Sequence, residues 1–164
     1  MEKYLFYDLE KENGEINPID EKTLLKWEAY EKSGGKIIIG SNKTISYING
    51  MLNGISSINP IIIAESGAVI QCLDSFLFTY DEDVVIRERI NRIKKIVKES
   101  VCDSWIQDNH IGFIVYSKNI DQIKESIKEQ NSEGLMIRFE TNYVCVMPEN
   151  INYARAIEKI KNIL

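Results

Sequence analysis

Residues 3–10 read KYLFYDLE, an apolar run that stops at Asp8 and meets a second acid, Glu10, two positions later. A compact apolar run bounded by polar residues has the pattern of a strand covered on both faces, as in a parallel sheet. Working outward, EKTLLKWEAYEKS (21–33) has helical spacing, with Leu24, Leu25, Trp27 and Ala29 on its apolar faces and Asp20 placed to cap its first turn. Gly34-Gly35 end that helix, and KIIIG (36–40) is a second strand whose β-branched isoleucines favour the pleat. A helix beginning near Thr44 sets Ile45, Ile48, Met51 and Leu52 at helical spacing. After Asn59-Pro60, IIIA (61–64) is a third strand. Strand, helix, strand, helix, strand within the first 64 residues predicts the start of a right-handed, doubly wound, Rossmann-like parallel sheet. ESGAVIQCLDSFLFTY (65–80) then reads as a hairpin turning near Leu73-Asp74.

Beyond residue 80 the pattern changes. EDVVIRERINRIKKIVKE (82–99) is an amphipathic helix with Val85, Ile86, Ile90, Ile93, Ile96 and Val97 on one side. A short strand at Ser104–Gln107 precedes HIGFIVYS (110–117), and KNIDQIKESIKEQN (118–131) is a second amphipathic helix with Asn119 as its N-cap candidate. GLMIRFE and NYVCVMP form a hairpin, and ENINYARAIEKIKNIL closes the chain as a helix. An α-β-β-α-β-β block of this kind predicts a small sheet with two helices on one face. The fold class is therefore α/β, with an inserted α+β module: residues 1–80 and 148–164 form the core and 81–147 the insert.

Composition narrows the function. With 44% apolar and 27% charged residues in 164, the chain has the make-up of a globular domain. A formal charge of −5 argues against a nucleic-acid or anionic-membrane surface, and no segment has the apolar length of a membrane span. The N-terminus is too short and too acidic for a signal peptide. Three scattered cysteines (Cys72, Cys102, Cys145) fit a reduced, cytoplasmic protein. One histidine, His110, leaves little for a histidine-based metal site or a Ser/His pair, so any chemistry rests on carboxylates, lysines and hydroxyls. Trp27 and Trp105 read as core anchors, and the charges of RERINRIKKIVK as a solvated helix face.

In an open parallel sheet ligands sit beyond the carboxyl ends of the strands. Three loops converge there: Asp8 and Glu10 after the first strand, Ser41-Asn42-Lys43 after the second, and Glu65-Ser66-Gly67 after the third. An acid at the first position can attack phosphorus or hold a metal, while a hydroxyl, amides and a lysine at the second can hold phosphate oxygens. Each also has a plainer reading: a solvated turn acid, a helix N-cap, and a turn in which Gly67 allows an unusual backbone angle.

Taken together, these stretches resemble the haloacid-dehalogenase (HAD) superfamily of phosphatases, in the branch with an α/β cap after the third core strand, which includes Cof-type and phosphoglycolate-phosphatase-like proteins. KYLFYDLE resembles the first motif, an apolar strand followed by Asp-x-Asp. GGKIIIGSNKTISYINGML (34–52) resembles the second, with Ser41 at the hydroxyl position and Lys43 at the basic one. PIIIAESGAVI (60–70) is similar to the Ile-Ala-Glu-Asn-Gly-Ala segment before the cap, and INYARAIEKI (151–160) to the segment after it. The resemblance implies Asp8 as nucleophile, Glu10 as general acid/base, Ser41, Asn42 and Lys43 on the transferring phosphate, and a Mg²⁺ held in part by Asp8.

The chain also departs from that pattern. Glu10 stands for Asp, Lys11-Glu12 for Gly-Thr, and Tyr153-Ala154 for the Lys-Gly of the closing helix, with Arg155 the nearest cation. The chain ends at Leu164 before a Gly-Asp-x-x-x-Asp segment, so the expected core is incomplete. Two functions follow. One is Mg²⁺-dependent hydrolysis of a small phosphorylated metabolite, impaired or completed by a second polypeptide; the other is a catalytically silent pseudoenzyme that binds a ligand or partner. An apolar first strand left at a sheet edge predicts a homodimer or a complementing second polypeptide.

Overall fold

The computed structural model describes residues 3–11, 15–73, 75–81 and 83–162. Glu12, Asp74 of the expected hairpin turn, Glu82 and the last two residues lie outside the described residues. The chain forms two compact units, one comprising the residues up to Thr79 and from Asn152 onward, the other Tyr80–Ile151.

The first unit is built on a five-stranded sheet in the order β1 (Lys3–Asp8), β2 (Gly35–Gly40), β3 (Ile61–Ala64), β4 (Val69–Cys72), β5 (Ser75–Phe78). β1, β2 and β3 are parallel, in a register that sets Asp8 beside Gly40 and Gly40 beside Ile63, so their carboxyl ends lie level. β4 and β5 turn back as antiparallel strands. Helix α1 (Glu21–Lys32) is capped by Asp20, whose carboxylate accepts from Thr23 N–H at 2.8 Å. Helix α2 (Ile45–Met51) is capped by Thr44.

Pleat alternation decides which side each helix covers. Tyr7 meets Trp27 of α1 edge-on at 4.9 Å, and Gln71 accepts from Asn49 of α2, so both helices cover one face. On the other face the final helix, α5 (Tyr153–Lys161), packs Ala156 and Ile160 against Ile38, Ile61, Ile63 and Ile70, and Tyr153 meets Phe6 edge-on at 5.5 Å. A sheet with helices on both faces is the doubly wound, Rossmann-like α/β arrangement.

Two expectations about burial need correction. β1 is not fully covered on either face: Leu5 and Phe6 are 37% and 39% exposed, because among the described residues β1 ends the sheet and pairs with β2 alone. In α1 only Trp27 is buried, while Leu25 and Ala29 face solvent, since one stripe of a surface helix suffices to cover the sheet.

The second unit is an antiparallel sheet in the order β6 (Ser104–Asp108), β7 (Phe113–Ser117), β9 (Tyr143–Pro148), β8 (Leu135–Phe139). Helices α3 (Val84–Ser100) and α4 (Ile120–Ile127) pack Ile90, Ile93, Val97, Ile123 and Ile127 against Phe113, Val115, Val144 and Val146. Asp83 caps α3 by accepting from Val85 and Ile86 N–H. Asn119 does not cap α4 through its side chain; its own N–H donates to Ser117 Oγ instead. Val85 is exposed at the start of α3. Trp105 is not a core anchor but 61% exposed, because its alternation places it beside Tyr116, ring centroids 5.0 Å apart, on the opposite face to Ile106, which packs with the helices. Among the described residues no helix is long and apolar enough to cross a membrane.

Candidate functional site

The level carboxyl ends of β1, β2 and β3 bring the three loops together, and hydrogen bonds lock them. Leu9, fully buried, continues the β1–β2 pairing by donating its N–H to Gly40 O at 2.8 Å. The chain then doubles back: Asn17 N–H donates to Leu9 O, Asn17 Nδ2 to Asp8 O, and Lys11 N–H to Glu15 O. Lys11 pairs with Glu15 at 3.2 Å, so its ammonium serves this return strand.

Asp8 is exposed at the strand end, and its Oδ1 accepts the Glu10 N–H at 3.1 Å. That is the local turn by which an aspartate orders the residue two places on. It turns the Glu10 side chain toward the second loop, where Ser41 Oγ donates to Oε1 at 2.6 Å and Asn42 N–H donates to Oε2 at 3.1 Å. Ser41 is fully buried and its Oγ accepts Lys43 N–H at 3.0 Å. The third loop closes the cluster: Glu65 N–H donates to Lys43 O at 3.0 Å and Ser66 N–H to Ser41 O at 2.9 Å.

The charges respond to this enclosure. Burial raises the Glu10 carboxyl above its ordinary range and the Asp8 charge adds to the shift, while the bonds from Ser41 and Asn42 and the Lys43 charge oppose it. Burial lowers the Lys43 ammonium, against the pull of Glu10. A carboxyl that holds its proton more readily than usual suits a general acid.

All five candidate residues thus share one hydrogen-bonded cluster, but not every one enters it as sequence alone implied. Asn42 contributes its backbone N–H. Tyr153, at the place of the expected lysine, is packed against Phe6. What the sequence does not show in the third loop is its backbone: Glu65 and Ser66 both adopt left-handed angles, φ 53° and 58°, ahead of Gly67 at 112°. A Cβ on Gly67 would stand 2.4 Å from Asn152 O, so this glycine lets the start of α5 abut the third loop. Glycine marked the turn in the sequence; nothing in the letters Glu-Ser marks two strained residues, which structures retain where the surroundings hold them.

Magnesium fares less well. Among the described residues no group of three or more His, Cys, Asp or Glu side chains is placed to hold a metal ion, and the Glu10 carboxylate is already engaged by Ser41 and Asn42. Mg²⁺ takes one or two carboxylates beside waters and substrate oxygens, and of the ligands that the resemblance implies the described residues bring Asp8 to the strand end, so by themselves they do not complete its Mg²⁺ site.

No protein-family model and no curated protein sequence matches the chain. Solved structures do. A haloacid dehalogenase-like hydrolase from Bacteroides thetaiotaomicron superposes with a TM-score of 0.73 at 11% identity over 99% of this chain and 77% of the other. The C-terminal domain of Candida albicans trehalose-6-phosphate phosphatase gives 0.72 at 14% identity, covering 98% of this chain and 61% of that one. The sucrose-phosphatase of Synechocystis, solved with sucrose and phosphate, gives 0.67 at 13% identity over 99% and 70%. This chain therefore spans about three fifths to three quarters of such neighbours. Doubly wound core, level strand ends and near-complete superposition agree: the chain has the fold of the haloacid-dehalogenase-like phosphatases.

Proposed function

We propose that this chain is the phosphate-recognising part of a HAD-like phosphatase acting on a small phosphate monoester. Tyr80–Ile151 serves as its cap module. Asp8 attacks phosphorus to form an aspartyl-phosphate, and the Glu10 carboxyl gives its proton to the departing alkoxide. Glu10, now a carboxylate, then takes a proton from the water that cleaves the acyl phosphate. Ser41 Oγ, the Asn42 N–H and Lys43 hold the phosphoryl oxygens. The observation that carries this reading is the convergence of Asp8, Glu10, Ser41, Asn42 and Lys43 at the level carboxyl ends of β1 and β2.

Any Mg²⁺ needs acids that the described residues do not supply. A second polypeptide, or a second copy, adding to the open side of β1 is the route we propose for completing the site, since an apolar strand at a sheet edge invites pairing. A monodisperse monomer by light scattering at high concentration contradicts that association. The three free thiols fit a reducing, cytoplasmic setting.

Two of the neighbours are sugar-phosphate phosphatases by name, so sugar phosphates and p-nitrophenyl phosphate are the substrates to assay. Hydrolysis that is abolished by Asp8→Asn supports the phosphatase. Absence of hydrolysis, or equal rates in both proteins, favours the second reading, a catalytically silent binding protein. The saturation of Ser41 and Asn42 by the chain's own carboxylate speaks for that alternative.

A further inference from the structure

Two of the donors assigned above to phosphate are occupied by the chain itself. One carboxylate oxygen of Glu10 takes the Ser41 hydroxyl and the other takes the Asn42 amide, both contacts shielded from solvent by the buried Ser41 and Asn42. A carboxylate presents two oxygens at nearly the spacing of two phosphate oxygens, and charge-assisted bonds of this kind are the stronger ones. Glutamate, one methylene longer than aspartate, has the added reach that lets a carboxylate anchored in the first loop span both donors of the second.

We propose that Glu10 is a tethered competitor for the anion, filling the phosphate seat until an incoming ligand displaces it. The inference rests on the phosphate-site reading and deepens it. A group held on a short tether competes at an effective concentration of about millimolar or above. An incoming anion therefore binds only the fraction of molecules in which Glu10 has swung away, and its apparent affinity falls by that fraction. The penalty is the same fraction for orthophosphate and for an ester, so an ester whose organic part binds elsewhere keeps whatever advantage those contacts give it.

The experiment is calorimetric titration of the full chain with inorganic phosphate. Relative to wild type, Glu10→Ala should bind at least about tenfold more tightly, Glu10→Gln should show a smaller gain, and adding Ser41→Ala to Glu10→Ala should abolish it. Asp8→Asn removes a neighbouring charge whose Oδ1 accepts the Glu10 N–H and not a donor of the second loop, so its gain should be much the smaller. Equal affinity in wild type and Glu10→Ala, both lost with Ser41→Ala, overturns the competitor while leaving the phosphate site standing. A gain in Asp8→Asn matching that of Glu10→Ala reduces the effect to bulk charge and also overturns it. No binding by any variant whose circular dichroism is native overturns both the competitor and the phosphate site. Should Glu10→Ala fail to fold, Glu10→Gln decides the same comparison, and a Glu10→Gln no tighter than wild type overturns the proposal.

Discussion

β1 (KYLFYD) and β9 (YVCVMP) are both six-residue strands dominated by apolar side chains, yet every residue of β9 is buried while Leu5 and Phe6 of β1 are part-open to solvent. The strands' own letters do not account for the difference; their neighbours do. β9 pairs with β7 on one side and β8 on the other, and α3 and α4 cover its Val144 and Val146. Among the described residues β1 pairs with β2 alone, and on its two faces Tyr7 meets Trp27 of α1 and Phe6 meets Tyr153 of α5 edge-on. Apolar letters state that a strand will be covered by something. They leave open whether that cover lies within the same chain. Here the strand with the incomplete cover also carries the candidate site at its end.

The contrast can be broken most forcefully in β9. Val144→Asp places a charge among Val115, Val146 and the helix side chains, and we expect a loss of more than about 4 kcal/mol in urea unfolding followed by circular dichroism. Next comes the third loop of the site. Gly67→Ala forces a side chain onto Asn152 O at an unfavourable backbone angle, and should cost roughly 2–4 kcal/mol in the same assay.

A smaller effect tests the charge beside β1. Burial lifts the Glu10 carboxyl, so in the range between its unfolded and folded pKa the folded chain keeps a proton that the unfolded chain has released. That contribution is fully present below the unfolded pKa and is lost as pH rises through the folded one. Thermal melts from acid to neutral pH should therefore show wild type losing stability relative to Glu10→Gln as pH rises; the reverse trend contradicts the burial assigned here. The smallest effect belongs to β1 itself. Leu5→Asp should cost less than about 1 kcal/mol in the isolated monomer, since its site is open on one side. A loss approaching that of Val144→Asp would mean that another chain covers β1.

Much of this architecture was readable from local chemistry. The cap Asp20, the start of α2 near Thr44, the isoleucine strands and the two hairpins follow from patterns that operate within a few residues. What escaped depends on distant neighbours. The edge position of β1 is a property of sheet order, and the exposure of Trp105 follows from which sheet face the helices chose. Asn119 looked like a cap, but its backbone is bonded to Ser117, and no side-chain cap forms. At the site, convergence of the loops was legible because parallel strands end together. The contact of Glu10 with Ser41, 31 residues away, was not, because it turns on side-chain reach. Nor were the left-handed angles of Glu65 and Ser66, which propensity reserves for glycine and asparagine.

The most direct measurement is an amide-resolved NMR titration of the wild-type chain with millimolar inorganic phosphate. Saturable shifts confined to the amides of Glu10, Asn42, Lys43 and Ser66, with those of β7 and β9 unmoved, are the predicted result. Shifts that gather instead around Arg87 and Lys94 of the second unit, or that appear nowhere, would contradict a phosphate seat at the end of β1.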